Sequence, residues 1–197
     1  MVDVVDLATA RSIIEKLHYA RSSANTATYR HGLFRKSDMA LVGAAVWIPP
    51  TKNAAHATYP ENWRGVLSLS RLVVDPFVPT NGASFLLGRS IALIKEDNKW
   101  DCLVTYADTW RGHTGQIYKA TNWEYVGMTA KSPVWVNEEG AMMGRKRGPK
   151  TLTYQEMSEL GFSMIGRFAK HKFRMVLHPR KTTPIIASGR EIISDTR

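Results

Sequence analysis

VLSLSRLVVD (66–75), DCLVTYA (101–107) and WEYVGM (123–128) read as three strands separated by two helical stretches. In the first, Val66, Leu67, Leu69 and Leu72 stand against Ser68, Ser70 and Arg71, and Pro76 and Pro79 end the run. Asn81-Gly82-Ala83-Ser84 then opens a helix over 83–95, whose Phe85, Leu86, Ile91 and Ile94 can pack on a sheet. After the second strand, Gly112-His113-Thr114-Gly115 leads into a short helix at 114–121 and the third strand. The order strand, helix, strand, helix, strand defines an α/β unit.

Upstream, 7–19 place Leu7, Ala10, Ile13, Ile14 and Leu17 on one helical face, with Asp6 as N-cap. Residues 31–36 and 39–48 read as two strands joined at Ser37-Asp38, and polar 51–64 as a loop. Downstream come strand-like residues at 133–136, a basic loop at 144–150, and a helix at 154–160. That helix has a Thr153/Glu156 capping box and a Gly161 stop. A strand at 172–177 follows, and 179–197 read as a loose tail. The expected organisation is one domain over 1–178.

The 197 residues, 44% of them hydrophobic, suit one globular domain with a core. No apolar run approaches the roughly 18–20 residues that span a bilayer. MVDVVDLATARS lacks the basic start of a signal peptide. The single cysteine, Cys102, sits in an apolar run and reads as a core residue of a protein from a reducing cytoplasm. The net charge of +10 points to a polyanionic partner. It concentrates in RKRGPK (145–150) and RFAKHKFRMVLHPRK (167–181), so Arg145, Lys146, Arg147, Lys150, Lys170, His171, Lys172 and Arg174 are candidate phosphate contacts.

Three segments carry a family resemblance. They are Leu69–Asp75 with Asn81–Ser84; Tyr106-Ala107-Asp108 with Gly112–Gly127; and Lys170-His171-Lys172-Phe173, with a weaker match at His18-Tyr19. Together they resemble the phage Mom-type adenine-modification proteins, a branch of the GNAT-like acyltransferases. The resemblance implies a GNAT-like mixed β-sheet flanked by helices, here with a basic C-terminal extension. It implies transfer of a carbamoyl-containing group to the exocyclic amine of adenine in double-stranded DNA, inside a bacterial host, as protection from restriction. Where GNAT enzymes carry a glycine-rich, Arg-containing loop for acyl-CoA, this sequence has Asn81-Gly82-Ala83-Ser84, which leaves the donor open between acyl-CoA and a relative of it.

Within that frame the candidate catalytic residues are Asp108, at a strand end where α/β sheets bind ligands, His113 between glycines, and Tyr118, placed to protonate a leaving thiolate. Arg71 and Asn81, Gly82, Ala83 and Ser84 form a candidate anion or cofactor site at a helix N-terminus. His18, Asp108 and His113 are candidate ligands for iron or another divalent metal, although no compact metal motif is present. Trp110 is a candidate stacking platform for an extruded base. Two rival readings remain: an acetyl-CoA-dependent N-acetyltransferase acting on a protein or small-molecule amine, and a non-catalytic DNA-binding protein. The oligomeric state is open, a homodimer included.

Overall fold

A computed structural model describes residues 1–20 and 26–177; the expected loose tail at 179–197 lies outside the described residues. The chain forms a mixed α/β fold around a seven-stranded sheet of order β1-β2-β3-β4-β5-β12-β6. Its strands are β1 (Val2–Val4), β2 (Tyr29–Phe34), β3 (Leu41–Ile48), β4 (Val66–Val74), β5 (Cys102–Asp108), β6 (Glu124–Met128) and β12 (Lys170–Val176). The intervening β7 (Ser132–Val136), β8 (Met142–Met143), β9 (Lys146–Arg147), β10 (Lys150–Thr151) and β11 (Ser163–Phe168) stand outside this sheet.

Alternation along the strands divides the core. On one face, α1 (Leu7–Leu17) packs Ala10, Ile13 and Ile14 on Ala44, Val46 and Val73. Asp6 accepts from Thr9 N–H at 2.7 Å, the N-cap read from the sequence. The same face holds Val66, Cys102 and Val104 under α2 (Lys52–His56), so 51–64 is not a plain loop. Thr51 caps that helix. Cys102 is buried, and burial pushes its thiol up to about 11.

The opposite face carries α3 (Gly82–Asp97), which sets Leu86, Leu87, Ile91 and Ile94 against Ala45, Trp47, Leu67, Leu103 and Phe173. Phe85, expected in that contact, is 49% exposed, and Leu87 takes the buried position. Beneath α3 the indole N–H of Trp47 donates to Ser90 Oγ at 2.7 Å, and the same hydroxyl shares a 2.6 Å hydrogen bond with His31 Nδ1. Burial lowers the His31 pKa to about 4, and the ring stays neutral.

Two irregularities shape the site. β4 and β5 are the one parallel pair of the large sheet, and their ladder covers only Val66↔Cys102, Leu67↔Leu103 and Ser68↔Val104. Beyond these pairs the strands part. On the other edge of β4 the register with β3 shifts between Val46↔Arg71 and Trp47↔Leu69, leaving Ser70 as a β-bulge. Had regular alternation run unbroken through Ser70, Arg71 would share the α3 face with Leu67 and Leu69. The bulge turns it to the α1 face.

β12 lies between β5 and β6, antiparallel to both. The basic run anticipated as a C-terminal extension is therefore an interior strand. Between β6 and β12 the chain builds a small unit from the sheet β11-β7-β8, the hairpin β9–β10 and α5 (Tyr154–Glu159). Trp135, Leu152 and Met157 form its own core, and Thr153 with Glu156 makes the expected capping box.

Gly115 precedes α4 (Gln116–Ala120) at φ +75°, and a Cβ there would lie 2.3 Å from the Phe173 ring. Gly115→Ala is expected to cost about 2–4 kcal/mol through combined strain and overlap. Gly88→Ala, in open space on α3, should instead gain up to about 1 kcal/mol. Urea denaturation of both variants checks the contrast.

Candidate active site

Where β4 and β5 separate, a cavity of about 640 Å³ opens. Its walls are Leu69–Val74 of β4, Tyr106 and Ala107 of β5, the end of α1 at His18 and Tyr19, and the segment 111–118, with Ala83 of α3 at one end. Parallel strands that part leave backbone groups without a neighbour, and side chains that follow the strand ends converge there.

Asp108 closes β5 and is 4% exposed. The Tyr19 hydroxyl donates to its Oδ2. Lys170 stands directly opposite in the β5–β12 register and brings Nζ to 2.7 Å from Oδ1. That approach is an ion pair lacking the angle of a hydrogen bond. Asp108 does not itself line the cavity; Tyr19 stands between them. Burial, reinforced by the bond to Asp108, raises the Tyr19 pKa well above the usual phenol value, so Tyr19 carries its proton.

His18 stacks on Tyr19 with ring centroids 4.3 Å apart. Its Nδ1 accepts from Ala20 N–H at 3.1 Å. Burial, then the nearby Arg71 charge, lower its pKa to about 4, so the neutral ring carries its proton on Nε2 and offers a donor. Arg71 bonds Ser70 O at 2.7 Å, and burial lowers its pKa. Tyr118, on α4, is nearly buried at the cavity wall, and burial raises its pKa. His113 is exposed on the rim, its ring edge-on to Tyr19 at 5.9 Å.

The structure thus gathers His18, Arg71, Ala83, His113 and Tyr118 around one cavity, with Asp108 behind Tyr19. Asn81 and Gly82 instead line a neighbouring groove of about 530 Å³ with Phe77 and Phe85. A Cβ on Gly82 would lie 2.3 Å from Val78, so packing is sufficient reason for that glycine. Ser84 Oγ is spent on Asn81 O at 2.9 Å. The backbone N–H groups of Ala83 and Ser84, in the first turn of the 16-residue α3, have no acceptor among the described residues.

His18, Asp108 and His113 do not form a metal-binding group: among the described residues no three His, Cys, Asp or Glu side chains cluster for one. His18 Nδ1 already accepts from Ala20, and both Asp108 oxygens face donors. Trp110 is half-buried beside the site. Arg111 covers one face of its ring at 4.1 Å.

Several basic residues are engaged within the fold. Arg174 makes a two-point bond to Glu124 at 2.7 and 3.1 Å, and Lys172 donates to Ala57 O at 3.0 Å. His171 meets the Tyr125 hydroxyl at 3.2 Å. Arg145 holds Leu152 O at 2.7 Å and lies over Tyr154, Arg147 touches the Met143 sulfur, and Lys150 pairs with Glu156. Lys146 is exposed on the β9–β10 hairpin. Sequence reasoning placed Lys170 among the phosphate contacts, missed its pairing with Asp108, and did not mark Arg111. Strand register and rim geometry leave no local signal for either.

A sequence model of the Mom protein family matches residues 1–183. The chain belongs to the Mom family. The phage Mu protein named methylcarbamoylase Mom is 26% identical over 132 residues, 64% of this chain and 53% of that relative, so the match spans about half the relative's length. Among solved structures, an N-acetyltransferase from Staphylococcus aureus Mu50 superposes with a TM-score of 0.56 at 12% identity, covering 90% of this chain and 98% of that one. A putative acetyltransferase from Salmonella typhimurium, whose structure holds its cofactor acetyl-CoA, gives 0.54 at 9% identity, with 91% and 94% covered. These likenesses establish the GNAT-like fold of this Mom family member.

Lys170 is 35% exposed while the Asp108 side chain is 5% exposed. Lys170→Met, which leaves that carboxylate without its cation, should cost about 1–3 kcal/mol, below the range for fully buried pairs. Lys170→Arg should recover most of the loss in the same chemical denaturation experiment.

Proposed function

We propose that this Mom family protein transfers an acyl-type, carbamoyl-containing group to the exocyclic amine of adenine in double-stranded DNA, shielding it from restriction. The single observation that carries the reading is the buried Asp108, held by Lys170 and by Tyr19, which itself lines a cavity large enough for a nucleobase beside a donor. The Mu relative is named for methylcarbamoyl transfer, and the acetyl-CoA of the Salmonella neighbour supports a donor of acyl-CoA type.

An adenine amine is a weak nucleophile, because its lone pair is shared with the ring. The donor supplies an activated carbonyl carbon; the residues position the amine and manage its protons. As the N–C bond forms, the amine proton passes to the Tyr19 oxygen while the Tyr19 proton moves to Asp108 Oδ2. This short relay creates no free phenolate. Tyr118, kept protonated by burial, donates to the leaving sulfur as the C–S bond breaks. His18 Nε2–H and Arg71 are donors for the oxygen that gains charge. The free N–H groups at Ala83 and Ser84 suit donor phosphates. Reaching a paired base requires its extrusion from the duplex. The neutral His18 and the ring edges around Tyr19 border the space it would fill.

The acetyltransferase neighbours favour one rival, acetylation of a protein or small-molecule amine. Mass spectrometry of nucleosides from bacterial DNA after expression of the chain separates the two. A heavier deoxyadenosine is expected. Asp108→Asn and Tyr118→Phe should each lower its yield at least about 100-fold with folding intact. An unaltered deoxyadenosine, alongside DNA-independent acetylation of free amines, would establish the rival instead.

A further inference from the structure

Arg111 stands on the cavity rim in the 3-10 turn Thr109–Arg111, directly after Asp108. The turn is fastened at both ends. Thr109 Oγ1 donates to Ala169 O at 2.7 Å, and Gly112 N–H returns to Thr109 O at 2.9 Å. Gly112 itself is left-handed at φ +72°, which lets the chain reverse immediately after Arg111.

The side chain is exposed, yet held in one place. Its guanidinium carbon lies 4.1 Å from the Trp110 ring centroid and 5.2 Å from that of Tyr19. Nη2 donates to Gly140 O at 3.1 Å, in the turn between β7 and β8. A long exposed cation ordinarily loses side-chain entropy when it grips a ligand. Here two aromatic rings and one carbonyl have already fixed it. That carbonyl takes one of five N–H donors, and no salt bridge among the described residues involves Arg111. A planar fork with spare donors at the mouth of a cleft fits a tetrahedral oxyanion.

We propose that Arg111 binds a phosphodiester of duplex DNA at the cavity mouth, next to the nucleotide whose base enters. The inference rests on DNA being the substrate. It makes Trp110 the pedestal of a phosphate clasp. It also gives the unit between β6 and β12 a role at the site, since its Gly140 carbonyl holds the clasp. The other phosphate source is the donor. Its natural seat is the start of α3, where the Ala83 and Ser84 N–H groups stand free.

The test is fluorescence anisotropy of the full chain against a labelled duplex oligonucleotide across a salt series, with coenzyme A binding measured in parallel. Arg111→Gln should weaken duplex binding about 5- to 20-fold at low salt and reduce the slope of log K against log salt by about 1. Coenzyme A affinity should not change. Arg111→Lys should restore the slope but only part of the affinity, because it keeps the charge and loses the stacked fork. Thermal unfolding should match the wild type, as for most exposed substitutions. Unchanged duplex binding by Arg111→Gln would overturn the assignment, as would loss of coenzyme A binding with duplex binding intact. If the wild type binds no duplex, the DNA reading itself fails, and that shows before any variant is compared.

Discussion

The site depends on a parallel ladder that stops. β4 and β5 share three residue pairs and then separate. Had the ladder continued, Leu69–Val74 would be hydrogen-bonded to β5 and no cavity would exist between them. The strands can part because each is held on its far side. β4 keeps its antiparallel ladder with β3 out to Val74↔Gly43, and β5 keeps its ladder with β12 out to Asp108↔Lys170. The opening is thus rigid on both walls, a condition for placing reacting groups within tenths of an ångström. The Ser70 bulge completes it by delivering Arg71 to the same face as Tyr19 and Asp108.

Charge compensation decides how that face works. A carboxylate nearly removed from water is costly unless it is paired and hydrogen-bonded. Lys170 and Tyr19 provide both at Asp108. The same burial keeps His18 neutral and Tyr19 and Tyr118 protonated. Three proton-bearing groups and a compensated carboxylate therefore surround one space, the composition expected of a site that passes protons without accumulating charge.

Much of this was legible in the sequence, and the rest was hidden for physical reasons. The three strands over 66–128 and the two helices between them follow from alternation, prolines and glycines. Of the residues singled out in the family-like segment, His113 and Tyr118 line the cavity and Asp108 lies behind Tyr19. The α2 turn was missed because 51–64 is polar, and its stability comes from Ala55 on Cys102 and Val104. Phe85 was assigned to the core because hydrophobicity alone does not set a helix's rotation, and Leu87 occupies the inward position. Lys170 resembled every other lysine of the basic run. Its role comes from standing opposite Asp108 across a ladder whose partners are far apart in sequence. The same distance concealed that the strand at 133–136 and the capped helix at 154–160 belong to one unit inserted between β6 and β12, two adjacent antiparallel strands that a tight turn could have joined.

On the function proposed above, the group donor sits where β4 and β5 part. Amide hydrogen exchange of the chain with and without acetyl-CoA addresses it most directly. Exchange should slow at Ser70–Val74 of β4 and at Ala83 and Ser84, with the β2–β3 ladder unaffected. Protection confined to the groove between Phe34, Phe77 and Phe85, with none along β4, would contradict it.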